Sequence, residues 1–303
     1  MSRRTNPSEL LIRQRLNALA RSLPGAKNGD PDLLHQARVA TRRLREALPL
    51  VAGGSRGRKL ERDARRLTRA LGPVRELDVA LQTLDALTAG RGAGSDAPRG
   101  AIAKLRQIVR QERQRLHVEM CGRVARVDVD RLRRRAAAAA AAKGRKEDAG
   151  GRRADPKRAA DAAARAARRA MRLREAIENA AGLYLPDRLH DVRIAVKKLR
   201  YAMEVSRELH GSRAHASIGT LKRAQDLLGR MHDHEVLIAR VRGVQGSSQA
   251  PNLQVSADLD RLVRRLETEC RELHGQYMAM RKQLVAIADR TASTPRPRRS
   301  AAA

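Results

Sequence analysis

One segment of this chain occurs twice, and its copies align without a gap. Leu34-His35-Gln36-Ala37-Arg38-Val39-Ala40-Thr41-Arg42-Arg43-Leu44-Arg45 lies over Leu189-His190-Asp191-Val192-Arg193-Ile194-Ala195-Val196-Lys197-Lys198-Leu199-Arg200. Every histidine and every base of the first copy recurs as a histidine or a base in the second. A further match follows in each half, residues 71–79 against 228–236. Two matches in the same order mark a duplicated unit, and we expect its halves to be related by a pseudo-twofold axis.

The unit is helical. Leu34, Ala37, Thr41, Leu44 and Leu48 make an apolar stripe at helical spacing, as do Leu189, Val192, Val196, Leu199 and Met203. Glycine and proline punctuate the pattern. Helices are expected near 8–23, 32–48, 57–71, 74–88 and 98–125, then near 158–181, 187–209, 212–228, 231–243 and 253–289. The fold class is therefore all-α. A single domain over 1–290 would consist of one half at 8–130 and another at 158–289. Between them, residues 133–157 collapse into Ala, Arg, Lys and Gly, with an unbroken run from Ala136 to Ala142. Alanine favours helix, but no apolar stripe is apparent there, so the stretch reads as a basic linker with at most transient helicity. The tail from 291, with Pro295 and Pro297, is expected to be disordered.

Beside each apolar stripe runs a basic one. His35, Arg38, Arg42 and Arg45 fall within roughly 80° of arc, flanked by Arg43. His190, Arg193, Lys197 and Arg200 repeat the arrangement, flanked by Lys198. Ordinary solvated faces alternate sign at i,i+4, because like charges there repel by a few tenths of a kcal/mol. A stripe that costs stability and recurs in register is better explained by a ligand that neutralises it. Arginine can bond two phosphate oxygens at once, lysine adds mobile charge, and histidine gains charge near a polyanion.

The whole chain carries 65 Lys+Arg against 33 Asp+Glu, a formal net charge of +32. That excess predicts a polyanionic partner: nucleic acid, an anionic surface or a phosphate polymer. Phe and Trp are absent and Tyr184, Tyr201 and Tyr277 are the only aromatic side chains besides histidine, which demotes single-strand binding by base stacking. Duplex binding through phosphates alone stays open. No apolar run is long enough for a membrane span, and the start of the chain lacks a secretory h-region, so a soluble, cytoplasmic protein is expected. Cys121 and Cys270 read as reduced core residues.

Catalytic and metal chemistry find little support. In a helix the side chains of His232 and His234 diverge by about 200° and cannot readily chelate together. We read His232-Asp233-His234 first as capping or packing residues and second as an addition to the basic site. Glu76, Asp78, Asp233 and Glu235 are expected to orient neighbouring arginines or to cap helices after Gly72 and Gly229. Glu267 and Glu269 suggest a metal-dependent triphosphatase strand, but their helical context points them apart. No P-loop or nucleophile elbow is present. The expectation is a protein that is not an enzyme and has no cofactor or metal.

The segments at 34–45, 189–200 and 71–79 resemble the conserved histidine α-helical domain, the CHAD family. The resemblance implies two antiparallel four-helix bundles with a basic cavity between them, binding of inorganic polyphosphate and association with polyphosphate granules. It assigns the family's histidines to His35 and His190, and its basic positions to Arg38, Arg42, Arg43, Arg45, Arg193, Lys197, Lys198 and Arg200. It adds Arg75 and, more weakly, Arg66, Arg69, Lys222 and Arg223. The basic linker departs from the family pattern, as does His232 where the first half has Arg75. A histone-like, nonspecific nucleic-acid binder is the alternative.

Overall fold

A computed structural model describes residues 7–51, 54–89, 99–148, 156–210, 215–247 and 252–293. Ten helices account for nearly all of them: α1 (Pro7–Lys27), α2 (Pro31–Val51), α3 (Gly54–Ala70), α4 (Gly72–Ala89), α5 (Arg99–Ala125), α6 (Val129–Asp148), α7 (Pro156–Asn179), α8 (Pro186–His210), α9 (His215–Gln245) and α10 (Leu253–Ala292). Among the described residues there is no strand.

The stripe-bearing helices start as their sequences dictate. At α2 the Asp30 carboxylate accepts from the backbone N–H groups of Asp32 (2.8 Å) and Leu33 (2.9 Å), and Pro31 occupies the first turn, where its missing N–H is harmless. Helix α8 begins on Pro186 with Asp187 behind it, an acid placed against the positive end of the helix dipole. Gly25 lets α2 come close, since a Cβ there would lie 2.0 Å from the Leu33 side chain.

The helix pairings of the first half recur in the second. Helices α1, α2, α3 and α6 pack around one core, which includes Leu16, Leu44 and Leu67. Helices α7, α8, the first part of α9 and the last part of α10 enclose another, with Val196, Leu228 and Tyr277. A third core draws on both halves, combining Leu77 and Leu84 of α4 and Ile102 of α5 with Leu237 of α9 and Leu266 of α10. This third core ties the two halves together through α4, α5, α9 and α10.

Two expectations change. Gly229 does not end a helix: α9 runs unbroken from His215 to Gln245, because Leu228, Met231 and Leu237 keep one buried face across the glycine. Nor is the start of the basic stretch a free linker. Leu132 and Ala136, one turn apart, are 2% and 1% exposed, and they dock α6 into the first core, so tertiary packing supplies what propensity alone could not. Helix α6 takes the place that the latter part of the long α10 holds in the second half. Residues 149–155 and the tail from 294 lie outside the described residues.

Candidate functional site

Packing of α2 against α8 brings the two basic stripes into one seam, bordered by the start of α4 and the middle of α9. Arg42 is its hub. Burial first, and then among other charges that of Arg42, lowers the pKa of His35, Arg38 and Arg45 of its own helix and of Arg193 and Lys197 of the other repeat. Lys197 responds most: burial first, then Arg42, Arg193 and Arg38, bring its ammonium down to about 7. Burial and Arg42 likewise pull Arg38 down to about 10. These bases have been partly stripped of water and crowded against one another, an arrangement that an anion relieves.

The chain's own carboxylates reach the seam sparingly. Arg38 has Glu76 at 3.8 Å and donates to the carbonyl of Thr68 at 3.2 Å. It can lie there because Gly72 has no side chain: a Cβ would stand 2.8 Å from Arg38 Nη1. Arg193 faces Asp233, Glu76 and Glu235. Burial pushes Asp233 up to about 6, against the pull of Arg193 and Arg75. Arg75 is half-buried, donates to Gln82 at 3.3 Å and sits beside Asp78 and Asp233. His35 is exposed at the rim, with its pKa lowered by partial burial, Arg75 and Arg42.

His190 is half-buried against His232, their Nδ1 atoms 3.3 Å apart. His232 therefore belongs to the seam. His234 turns the other way, into the α9–α10 interface, where Nε2 lies 3.1 Å from Glu269. The run has neither chelating geometry nor a capping position, since it falls inside α9. Its alignment with Arg75 carried the signal for His232, which the packing reading obscured.

Three expected site residues leave the seam. Arg200 is buried, 7% exposed, ion-paired with Glu204, bonded to Gln225 at 3.0 Å and stacked on Tyr201 at 4.3 Å. It is a packing residue, because α8 carries it under neighbouring side chains that the repeat pattern does not reveal. Arg43 turns toward Glu204 at 3.8 Å and lines a groove between α1 and α2. Lys198 lines the corresponding groove between α7 and α8. Arg45 connects seam to surface, near Arg65 and Arg69 of α3. Arg66, Arg69, Lys222 and Arg223 are exposed on α3 and α9; Arg66 has Asp63 at 3.6 Å, and Arg223 donates to Thr220 at 3.1 Å.

The acids behave as separate individuals. Buried Asp78 holds Arg113 at 2.5 Å, and Glu235 accepts from the Tyr184 hydroxyl at 2.7 Å. Glu267 bonds Arg242 at 2.6 Å, while Glu269 faces Arg265 and His234. Cys270 is buried, as expected, but Cys121 is only partly so and lies 3.8 Å from His117 Nε2.

Fold and seam define an all-α, internally duplicated protein whose two halves present bases to each other. The chain belongs to the CHAD family: the model of the CHAD domain matches residues 10–242, which span both copies of the repeat. Two solved structures share the fold. The CHAD domain from the plant Ricinus communis is 22% identical, with a TM-score of 0.56, over 96% of this chain and 92% of that one. PptA from Streptomyces chartreusis is 16% identical, with a TM-score of 0.62, over 91% and 98% respectively. No curated protein matches significantly.

Proposed function

We propose that this protein binds inorganic polyphosphate in the α2–α8 seam without transforming it, and does so in the cytoplasm at polyphosphate granules. The observation that carries the reading is the convergence of Arg38, Arg42, Arg193 and Lys197 from the two repeats, crowded enough to bring Lys197 down to about 7. A flexible chain of phosphates, charged at every unit, answers such a site better than a stiff duplex, whose phosphates lie on a wide cylinder. Single strands are disfavoured further: Tyr201 and Tyr277 are buried, which removes two of the three tyrosines as stacking platforms. Among the described residues no helix is long and apolar enough to cross a membrane.

One observation favours the alternative, a histone-like grip on nucleic acid: much of the +32 charge lies outside the seam. Competition decides between them. Labelled long-chain polyphosphate is challenged with duplex DNA at equal phosphate concentration and near-physiological salt. Polyphosphate should prevail by about tenfold or more, roughly 1.4 kcal/mol. Parity would transfer the assignment to nucleic acid.

The same reading expects no catalysis, since Asp233, Glu76 and Glu235 are gathered around the Arg193 guanidinium, which neutralises them. Purified protein, with or without divalent metal, should leave polyphosphate and nucleoside triphosphates intact. Phosphate release that disappears in Asp233→Asn would overturn this.

A further inference from the structure

Two surface grooves away from the seam carry the same repeat register. The α8 wall of one comprises Asp191, Ile194, Ala195 and Lys198. The α2 wall of the other includes Gln36, Val39, Ala40 and Arg43. These four positions correspond one to one in the duplicated segment. The grooves share these wall positions, but their charge is spent differently.

In the α1–α2 groove, Arg15 holds Glu208 at 2.5 Å and Arg43 shares Glu204, at 3.8 Å, with Arg200, so both bases have a carboxylate of α8 beside them. In the α7–α8 groove Arg169, Arg172, Arg188 and Lys198 stand against Glu175 and Asp191. Arg169 has Glu46 at 3.7 Å. Among the described residues, Arg172, Arg188 and Lys198 show no ion pair within 4.0 Å. Arg172 and Arg188 are exposed.

This groove adjoins the seam through α8, where Lys198 of the groove follows Lys197 of the seam in the chain. Burial and then the charges of Arg169 and Arg172 lower the pKa of Lys198; Glu46 opposes them, and Arg45 adds to them. Arg45 in turn neighbours Arg42, the hub. A run of bases therefore leads from the seam by Arg45 and Lys198 to the outer face of α7, with Glu46 as the acid beside it, its carboxylate shared with Arg165 at 2.7 Å and Arg169 at 3.7 Å.

We propose that the α7–α8 groove is a second anion site, which receives the phosphoryl groups of a polymer whose preceding units fill the seam. The proposal rests on the reading of the protein as a polyphosphate binder and adds a chain-length preference to it. A short chain held within the seam gains nothing from the groove. A long one presents its next units to Lys198, Arg172 and Arg188 at high effective concentration, so binding there is intramolecular.

The test pairs two probes with three variants. Arg172→Gln/Arg188→Gln alters only exposed side chains and should leave the melting temperature unchanged. Its affinity for long-chain polyphosphate should fall by about tenfold, one or two charge-assisted contacts, while that for tripolyphosphate stays within about twofold. Arg264→Gln/Arg271→Gln, exposed on α10, removes the same charge elsewhere and should leave both affinities unchanged. Arg38→Gln/Arg193→Gln, in the seam, should weaken both probes. Unchanged long-chain affinity in the groove variant, or equal loss for both probes, overturns the second site while the seam variant still reports on the first. Failure of the unmodified protein to bind long-chain polyphosphate overturns the parent reading and this one with it.

Discussion

The Nδ1 atoms of His190 on α8 and His232 on α9 stand 3.3 Å apart, with ring centroids separated by 4.6 Å. Protons on both Nδ1 atoms would set two donors face to face, so the pair accommodates one between them. Burial and then Arg193 lower both imidazoles, His232 to about 4. The unfolded chain takes up its histidine proton near pH 6.5, while folded His232 waits until about 4. Across that window the unfolded state binds more protons, and this contribution to stability falls as pH falls. Asp233, raised to about 6, works in the opposite sense below that value. His232→Gln removes the first effect alone, so urea titrations should show the variant gaining on the wild type from pH 6.5 to 4. A pH-independent difference would contradict the assignment.

Lys197 supplies a case of the same sign at alkaline pH. Its ammonium lies near 7 when folded and near 10.5 when unfolded, so the free protein should gain stability as pH rises between those values. Bound anion restores the proton. Polyphosphate binding at pH 8 should therefore take up protons, and affinity should fall as pH rises from 7 to 9. Calorimetry in buffers of different ionisation enthalpy counts them. Lys197→Met should stabilise the free protein and reduce the uptake, and wild-type binding with no proton uptake would sink the mechanism.

Site and bulk charge can be separated. Replacing Arg38, Arg42, Arg193 and Lys197 by Gln removes four charges from the seam. Replacing four among Arg145, Lys146, Arg152, Arg153 and Lys157 removes as many from the basic stretch. Net charge alone predicts equal weakening. The seam predicts a loss of about a hundredfold or more in the first variant, on the order of 1.5 kcal/mol for each of several charge-assisted bonds, and a small one in the second. The seam variant should remain folded and melt no lower, because repulsion among its bases is relieved.

The paired glycines at 72 and 229 should respond differently to a methyl group. At Gly229 a Cβ meets nothing within 4 Å, and the residue lies inside α9. Gly229→Ala should stabilise the protein by about 0.4–1 kcal/mol, visible as a raised Tm. Gly72→Ala would press on Arg38 Nη1 and displace it from the Thr68 carbonyl, with weaker polyphosphate binding as the readout.

The helices and their two-sided character were legible in the sequence because both are local. Leu34, Leu44 and Leu48 define a buried face through their spacing, and Arg38 and Arg42 define its neighbour by the same arithmetic. The repeat showed in the same way, as did the pairing of His35 with His190. Helix α6 was hidden, since its anchoring face amounts to Leu132 and one alanine within a run of alanines. The fate of Gly229 was hidden too, because glycine ends a helix only where packing on both sides does not carry it across.

Azimuth around a helix says which side chains share a face; it does not say what that face meets. Arg193 and Arg200 share a face of α8, yet one joins the seam and the other is buried on Glu204, Gln225 and Tyr201. Arg43 and Lys198 flank their stripes identically, yet Arg43 has Glu204 at 3.8 Å while Lys198 faces Arg169 and Arg172. The sequence by itself determined an all-helical, duplicated chain with basic stripes in register. Only the tertiary structure decided which of those bases confront one another, because that depends on how α2 and α8 cross and on the side chains that distant helices bring to the crossing.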